Sequence, residues 1–393
     1  LDYLKNFHFT GDIYAIPEGT LIFPREPIVK VIAPIIEAQL VETAILNIIN
    51  HQSLIATKAA RVCYAAKGDG IMEFGLRRAQ GPDAGIYGAR AAVIAGCVGT
   101  SNVLTGQMFD VPVKGTHAHS WIMSFPDEYT AFKTYADLYP NACILLVDTY
   151  DTLRSGVPNA IRVFKEMREA GIELKGYGIR LDSGDLAYFS KKARKMLDDA
   201  GFEDAIISAS SDLDEYLIDS LKTQGAAITS WGVGTNLITA KDNPAFGGVY
   251  KLAAVMGDDG KFIPKIKLSE NSEKITNPGN KTVYRVYDTD GMLKADLIAL
   301  TDETYDENEP LLLFDPIETW KKTLLQIIVP VFKNGECVYT TPPVMDIQKY
   351  CKHELATLWD ESKRLINPQE VHVDLSKKLY DCKQELLNTY STP

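Results

Sequence analysis

The chain has 393 residues, 46% of them hydrophobic and 24% charged, with a formal net charge of −11. That length supports two or three cores, or one large barrel with an attached domain. The acidic balance excludes nucleic acid or an anionic membrane as the main partner, because phosphate affinity needs clustered Lys and Arg.

The chain opens LDYLKNFHFTGD, without Met and in mid-pattern, which reads as a truncated or partly covered N-terminus. Residues 11–35 alternate short apolar runs with Pro and Gly and predict a piece of antiparallel sheet. Apolar positions at three-to-four spacing over 36–65 predict one long helix, or two broken near His51. From residue 71 the texture changes. IMEFGL, PVKGTHAHS, CILLVDTY, LKGYGIRLDSGD, AIISASSD, ITSWGVGT and GVYKLAAVM read as uniformly apolar strands. Amphipathic helices separate most of them, which is the signature of βα units on a parallel sheet. Polar residues gather at the strand ends: His119, Asp148, Arg180 with Asp182, Ser210 with Asp212, and Gly234 with Thr235. Five such ends favour a closed barrel, where every strand end opens on one mouth, over an open sheet with a single switch point. Beyond residue 257 come short strands (KTVYRVYD, KADLIALTD) and then helices in 345–390, a separate α+β cap.

Several segments carry chemistry. RLDSGD (180–185) sets a cation and two carboxylates between a strand and a helix N-terminus, a setting for an anion. Asp182 suits a ribose diol or Mg²⁺, whereas N-capping alone accounts for Ser183 or Asp185. GVGTN (232–236) is a glycine-bearing loop of the phosphate-cradle type, also usable as a plain turn. In FGLRRAQGPDAG (74–85), Arg77 and Arg78 beside an aromatic suit a diphosphate or simple surface solvation. GTHAHSW (115–121) leaves three readings open: a metal pair, a base beside a hydroxyl, or a histidine that carries a group. ILLVDTYDTLRSG (144–156) imitates the acidic run of the common phosphoribosyltransferase fold, but Asp148 and Asp151 are not adjacent, which argues against that fold. The six cysteines lack a CxxC pair and read as reduced intracellular thiols. With no secretory signal and no long apolar run, the expected location is cytoplasmic.

EFGLRRAQGPDAG, GTHAHSW, LLVDTYDTL, IRLDSGDL and WGVGTNL, in that order and over essentially the whole chain, together resemble the nicotinate phosphoribosyltransferase family. The resemblance implies an irregular βα barrel with an α+β sandwich domain and a C-terminal α+β cap. Expected boundaries are 1–68 for the sandwich segment, 69–256 for the barrel and 257–393 for the C-terminal region. It also implies a homodimer whose site is shared across the interface. The implied reaction joins nicotinate to 5-phosphoribosyl 1-diphosphate, giving nicotinate mononucleotide and diphosphate. ATP as co-substrate and Mg²⁺ complete the set.

By this resemblance His119 is the phosphorylated histidine and Asp148 the acid that hydrogen-bonds it, while His117 is structural. Phe74 resembles the aromatic that stacks on the pyridine, with Ser101, Thr116 and Arg180 around the same ring. Arg77 resembles a diphosphate contact and Asp182 the ribose acid. Ser210, Gly234 and Thr235 would cradle the 5′-phosphate. Ser101 stands where the nicotinamide-using sister enzymes carry an aspartate. A carboxylate there would repel that of nicotinate, so serine favours the acid substrate. The family's T-D-L-Y-like segment, whose tyrosine covers the pyridine across the interface, has no counterpart here; YADLYP (135–140) is only an echo. Three alternatives stay beside this reading: a nicotinamide phosphoribosyltransferase, a sugar-phosphate isomerase or aldolase on a similar barrel, and a catalytically silent scaffold.

Overall fold

A computed structural model describes residues 2–270, 274–305 and 323–391. Two short strands lead, β1 (Asp12–Ala15) and β2 (Val29–Ile32). Next come β3 (Gly70–Glu73), β4 (Gly99–Thr100), β5 (Ile144–Leu146), β6 (Gly178–Leu181), β7 (Ile206–Ala209) and β8 (Ser230–Val233). The hairpin β9 (Ala254–Met256) and β10 (Phe262–Pro264) precedes β11 (Lys281–Tyr287) and β12 (Leu293–Leu300). The rest are β13 (Thr323–Gln326), β14 (Val329–Lys333), β15 (Glu336–Cys337) and β16 (His372–Leu375).

The chain forms two compact units. One comprises Leu1–Ile49, Gly247–Pro342 and Lys349–Pro393; the other comprises Asn50–Phe246 and Pro343–Gln348. This division differs from the expected 1–68, 69–256 and 257–393: residues 50–68 and 343–348 belong with the second unit, and 247–256 with the first. Within the expected C-terminal region, 271–273, 306–322 and 392–393 lie outside the described residues.

The first unit holds two four-stranded sheets, ordered β15-β14-β1-β2 and β13-β11-β12-β16. The expected antiparallel piece near the start is β1 with β2, paired from Asp12↔Ile32 to Ala15↔Val29. The other edge of β1 takes β14, with Ile13 opposite Phe332, and Asp12 there accepts from Lys333 Nζ at 2.9 Å. Ile16, Val283, Ile298, Ile327, Ile328 and Leu379 form one apolar core under both sheets. Arg285 lies fully buried beside that core. It donates to both oxygens of Asp296, at 3.0 and 2.7 Å, to Glu354 at 2.7 Å and to the Leu21 carbonyl at 2.6 Å.

The second unit is α/β, with six parallel strands ordered β4-β3-β8-β7-β6-β5. Strands buried on both faces need apolar residues throughout, and Leu145, Leu146, Ile179, Leu181, Ile207 and Trp231 are at most 1% exposed. Each such side chain contributes about 1.5–3 kcal/mol. The helices begin where short polar side chains can cap them. Asp127 accepts from Thr130 N, Asp185 from Tyr188 N and Asp214 from Leu217 N, at 2.8–2.9 Å, each worth about 1 kcal/mol. Asp185 is therefore a capping residue, as its position before a helix implied.

Three local expectations are corrected. GVYKLAAVM does not extend the parallel sheet; its end forms the antiparallel β9–β10 hairpin of the other unit. The 36–65 helix breaks at Val41, between helices Ile35–Leu40 and Glu42–Ala65, and runs unbroken through His51. PVKGTHAHS makes a single parallel bridge, Thr100 to Val113, and His119 opens the short helix His119–Met123 instead of ending a strand.

Candidate active site

Arg180, at the third position of β6, organises the carboxyl ends of the strands. Its Nε donates to Ser210 Oγ at 2.8 Å, Nη1 to Thr116 Oγ1 at 2.7 Å and Nη2 to Asp182 Oδ1 at 3.0 Å. The Ser210 hydroxyl also donates to Asp182 Oδ1. Burial pushes the Asp182 carboxyl up, but the Ser210 hydroxyl and the Arg180 guanidinium outweigh it and hold it below the usual carboxylate range. Asp182 therefore stays ionised near neutrality. Against a net charge of −11, this half-buried guanidinium supplies the local positive charge that an anionic substrate requires.

Around the same point stand His119 and Asp148. His119 Nε2 lies 3.9 Å from Asp148 Oδ1 and 3.7 Å from Asp182 Oδ2, while Nδ1 is 3.0 Å from Thr149 Oγ1. The expected Asp148–His119 hydrogen bond is not the one formed. Asp148 Oδ2 is taken by Asp182 N at 2.9 Å and Ser183 Oγ at 2.7 Å, and Thr149 holds the imidazole. Asp148 Oδ1 is buried without a hydrogen-bond partner. Two carboxylate oxygens thus face one imidazole, an arrangement that fits a small hard cation sharing its shell with phosphate oxygens. Among the described residues no group of three or more His, Cys, Asp or Glu could hold a metal by itself.

Phe74 lies further along the sheet, at the end of β3 on the far side of β8. Phe74 follows β3 and its N–H donates to Val233 O at 2.8 Å. Gly232 makes room for the ring: a Cβ there would come within 2.6 Å of Phe74 Cδ2 and 3.5 Å of Ser210 Cβ. Phe74 and Ser210 are therefore neighbours across β8. Gly234 stands before the short helix Thr235–Ile238, with room for a Cβ only 3.1 Å from Phe74 O. Ser101 follows β4, and its N–H donates to Glu73 O at 3.0 Å. Arg77 lies exposed in the 3-10 turn Leu76–Arg78, and no described contact ties it to the other predicted site residues.

Three residues were given no role from the sequence. Thr149 was hidden beside the more conspicuous Asp148. Asn236 is buried, and its amide donates to Asp212 O at 2.7 Å and Leu213 O at 3.2 Å, holding the loop after β7. That loop carries positive φ at Ser211 (109°) and Asp212 (24°), conformations that need such support. Glu73 ends β3 with its side chain wholly buried. A lone acid at the end of an apolar strand was the available signal for it.

His117 plays a different part from its neighbour. Its ring is buried 4.5 Å from that of Tyr135, and Nε2 accepts Leu146 N–H at 3.3 Å, so the neutral ring carries its proton on Nδ1. Tyr135 of the YADLYP echo is thus core packing. Burial pulls the His117 pKa down to about 4, with Arg180 and His119 adding to the shift and the Ala118 backbone opposing it. The unfolded chain takes up this proton near pH ~6.5, so stability falls as pH drops from about 6.5 towards 4. His117→Gln keeps an acceptor for Leu146 and is expected to flatten that acid limb. Denaturation midpoints collected across this window check it, and an unchanged limb would refute it.

A guanidinium, two acids, hydroxyls and an imidazole gathered at parallel strand ends form a cluster suited to handling an anion on an α/β scaffold. Residues 1–50 match the nicotinate phosphoribosyltransferase (NAPRTase) N-terminal domain, 70–288 the NAPRTase family and 280–383 the NAPRTase C-terminal domain. A nicotinate phosphoribosyltransferase of Bacillus subtilis (strain 168) is 51% identical over 385 residues, spanning 95% of this chain and 77% of that one. One from Dictyostelium discoideum is 37% identical over 450 residues, spanning 98% and 75%. The crystal structure of human nicotinic acid phosphoribosyltransferase superimposes with a TM-score of 0.82 at 28% identity, covering 98% of this chain and 84% of that one. The chain belongs to the nicotinate phosphoribosyltransferase family and is an enzyme of the phosphoribosyltransferase class.

Proposed function

We propose that this enzyme joins nicotinate to 5-phosphoribosyl 1-diphosphate, and that ATP drives the reaction through phosphorylation of His119. The Arg180 cluster carries this reading, since one guanidinium draws Thr116, Asp182 and Ser210 together beside His119. The pyridine nitrogen attacks C1′ of the ribosyl group, and the C1′–oxygen bond breaks with its electron pair leaving on diphosphate. Such a loose transfer depends on positioning and on stabilising the departing anion.

In this arrangement Phe74 stacks on the ring, and Ser101 and Thr116 line its substituent. Asp182 binds the ribose hydroxyls, while Ser210, Gly234 and Thr235 receive the 5′-phosphate. Arg180 and the exposed Arg77 meet the diphosphate. In the coupling step an imidazole nitrogen of His119 attacks the γ-phosphorus of ATP and ADP leaves. Water later takes the phosphoryl group, releasing inorganic phosphate. Thr149 and the two acids orient the ring for both events. Asp148 and Asp182 would hold Mg²⁺, which when bound neutralises phosphate charge. The finer architecture goes with this function: the six-stranded sheet closing as an irregular barrel with 112–117 at its seam, a sandwich domain, and a homodimer sharing its sites. The proposed location is the cytoplasm. Among the described residues no helix is long and apolar enough to cross a membrane.

The test offers nicotinate, nicotinamide and quinolinate in parallel with 5-phosphoribosyl 1-diphosphate, with and without ATP. Nucleotide from nicotinate alone, raised by ATP, is expected. His119→Asn should keep a basal transfer but lose the ATP stimulation and any acid-labile phosphoprotein. Nicotinamide as the preferred substrate, or unchanged stimulation in the variant, would overturn the corresponding half of the proposal.

A further inference from the structure

Glu73 is the one fully buried acid beside the proposed pyridine subsite, and among the described residues no cation pairs with it. Burial pushes its carboxyl up, against the two hydrogen bonds it accepts. Stability alone would be served as well or better by an uncharged side chain there, because an unpaired buried carboxylate is costly. Its contacts indicate what the carboxylate does instead. Oε1 accepts the Gly75 amide, and Oε2 accepts the Thr100 hydroxyl at 2.6 Å. The main-chain oxygen of Glu73 accepts Ser101 N–H at 3.0 Å. The Thr100 hydroxyl oxygen in turn accepts Asn102 N–H at 3.0 Å.

Phe74 is therefore bracketed by Glu73 and Gly75, and Ser101 by Thr100 and Asn102, with one carboxylate gripping both brackets. Gly75 has no slack: a Cβ there would lie 2.3 Å from Ile238 Cβ and 2.7 Å from Glu73 Oε1. Only an acceptor on both side-chain oxygens can take the Gly75 N–H and the Thr100 O–H together while leaving the Thr100 oxygen free for Asn102. We infer that Glu73 is a positioning residue for the pyridine subsite, acting through Phe74 and Ser101 to fix the distance between the aromatic platform and the hydroxyl facing the ring substituent. This rests on the nicotinate reading above.

Kinetics of Glu73→Gln and Glu73→Ala test it. Glutamine keeps the Gly75 contact but turns a donor towards Thr100, so KM for nicotinate should rise about tenfold, and further with alanine. KM for 5-phosphoribosyl 1-diphosphate and kcat should stay within about threefold, a split that general loosening of the fold would not produce. Thr100→Val should give the same split and combine non-additively with Glu73→Ala. Should the alanine variant fail to fold, the glutamine variant decides alone. Equal rises in both KM values, or no rise, overturn the role of Glu73. Failure of the unaltered enzyme to use nicotinate at all sinks the substrate reading and this inference together.

Discussion

Arg180→Lys is expected to lower kcat/KM by about a hundred- to a thousandfold, the ~3–4 kcal/mol typical of removing one preorganised donor from a transition-state anion site. Lysine keeps the charge, so the experiment isolates geometry. The guanidinium serves Ser210, Thr116 and Asp182 through three different nitrogens held in one plane. An ammonium on a flexible stem can reproduce one of those directions but not all three. The fold should survive, with a thermal midpoint within a few degrees of the parent, because Arg180 sits at the rim of the sheet with 17% of its side chain exposed. Steady-state kinetics beside a melting curve make the check. Activity within about tenfold of the parent would mean that the charge, not the fork, is what the site uses.

Arg285→Met should have the largest effect on stability, about 3–5 kcal/mol, because it strands two buried acids. Asp296 is fully buried, and 4% of the Glu354 side chain is exposed. Burial, and then the neighbouring Asp296, push Glu26 up to about 9, so at neutral pH it joins the cluster uncharged. Its contribution is complete below the unfolded value near pH ~4.5 and is lost as pH climbs towards 9. Replacing Arg285, Asp296 and Glu354 together by Met and Leu should recover much of the loss, since apolar side chains of similar volume need no partner. Denaturation midpoints of the single and triple variants decide the matter. A single variant within about 1 kcal/mol of the parent would refute it.

The parallel sheet was legible because strands buried on both faces leave continuous apolar runs in the sequence, as in CILLVDTY. The Arg180, Asp182 and Ser210 cluster was legible for a related reason: polar residues closing such runs have few structural uses. What failed to show was anything resting on a side chain doing a backbone's work. His117 takes the Leu146 N–H through its ring, so PVKGTHAHS looked like a strand but makes only one bridge. Asp148 looked like the partner of His119 by type, yet its outer oxygen is saturated by Asp182 N and Ser183 Oγ, and Thr149 takes the hydrogen bond. Arg285 was invisible for the opposite reason. Within KTVYRVY it occupies a place that alternation could put on either face, and its partners Asp296, Glu354 and Leu21, brought in from other segments, make it an interior one.

The pairing of β1 with β14 sets an order of events during synthesis. All six parallel strands lie between Gly70 and Val233, so that sheet can assemble while later residues are still being added. β1 pairs with β2 at once, but its other edge waits for Phe332, roughly 300 residues later. At about 5–20 residues per second that wait lasts about 15–60 s. An open strand edge exposed for so long invites pairing with neighbouring nascent chains. Asp12 places a charge at the mouth of that edge, which discourages foreign strands in the meantime and afterwards accepts Lys333 and the Asn334 amide. The same side chain thus guards the edge first and closes it later.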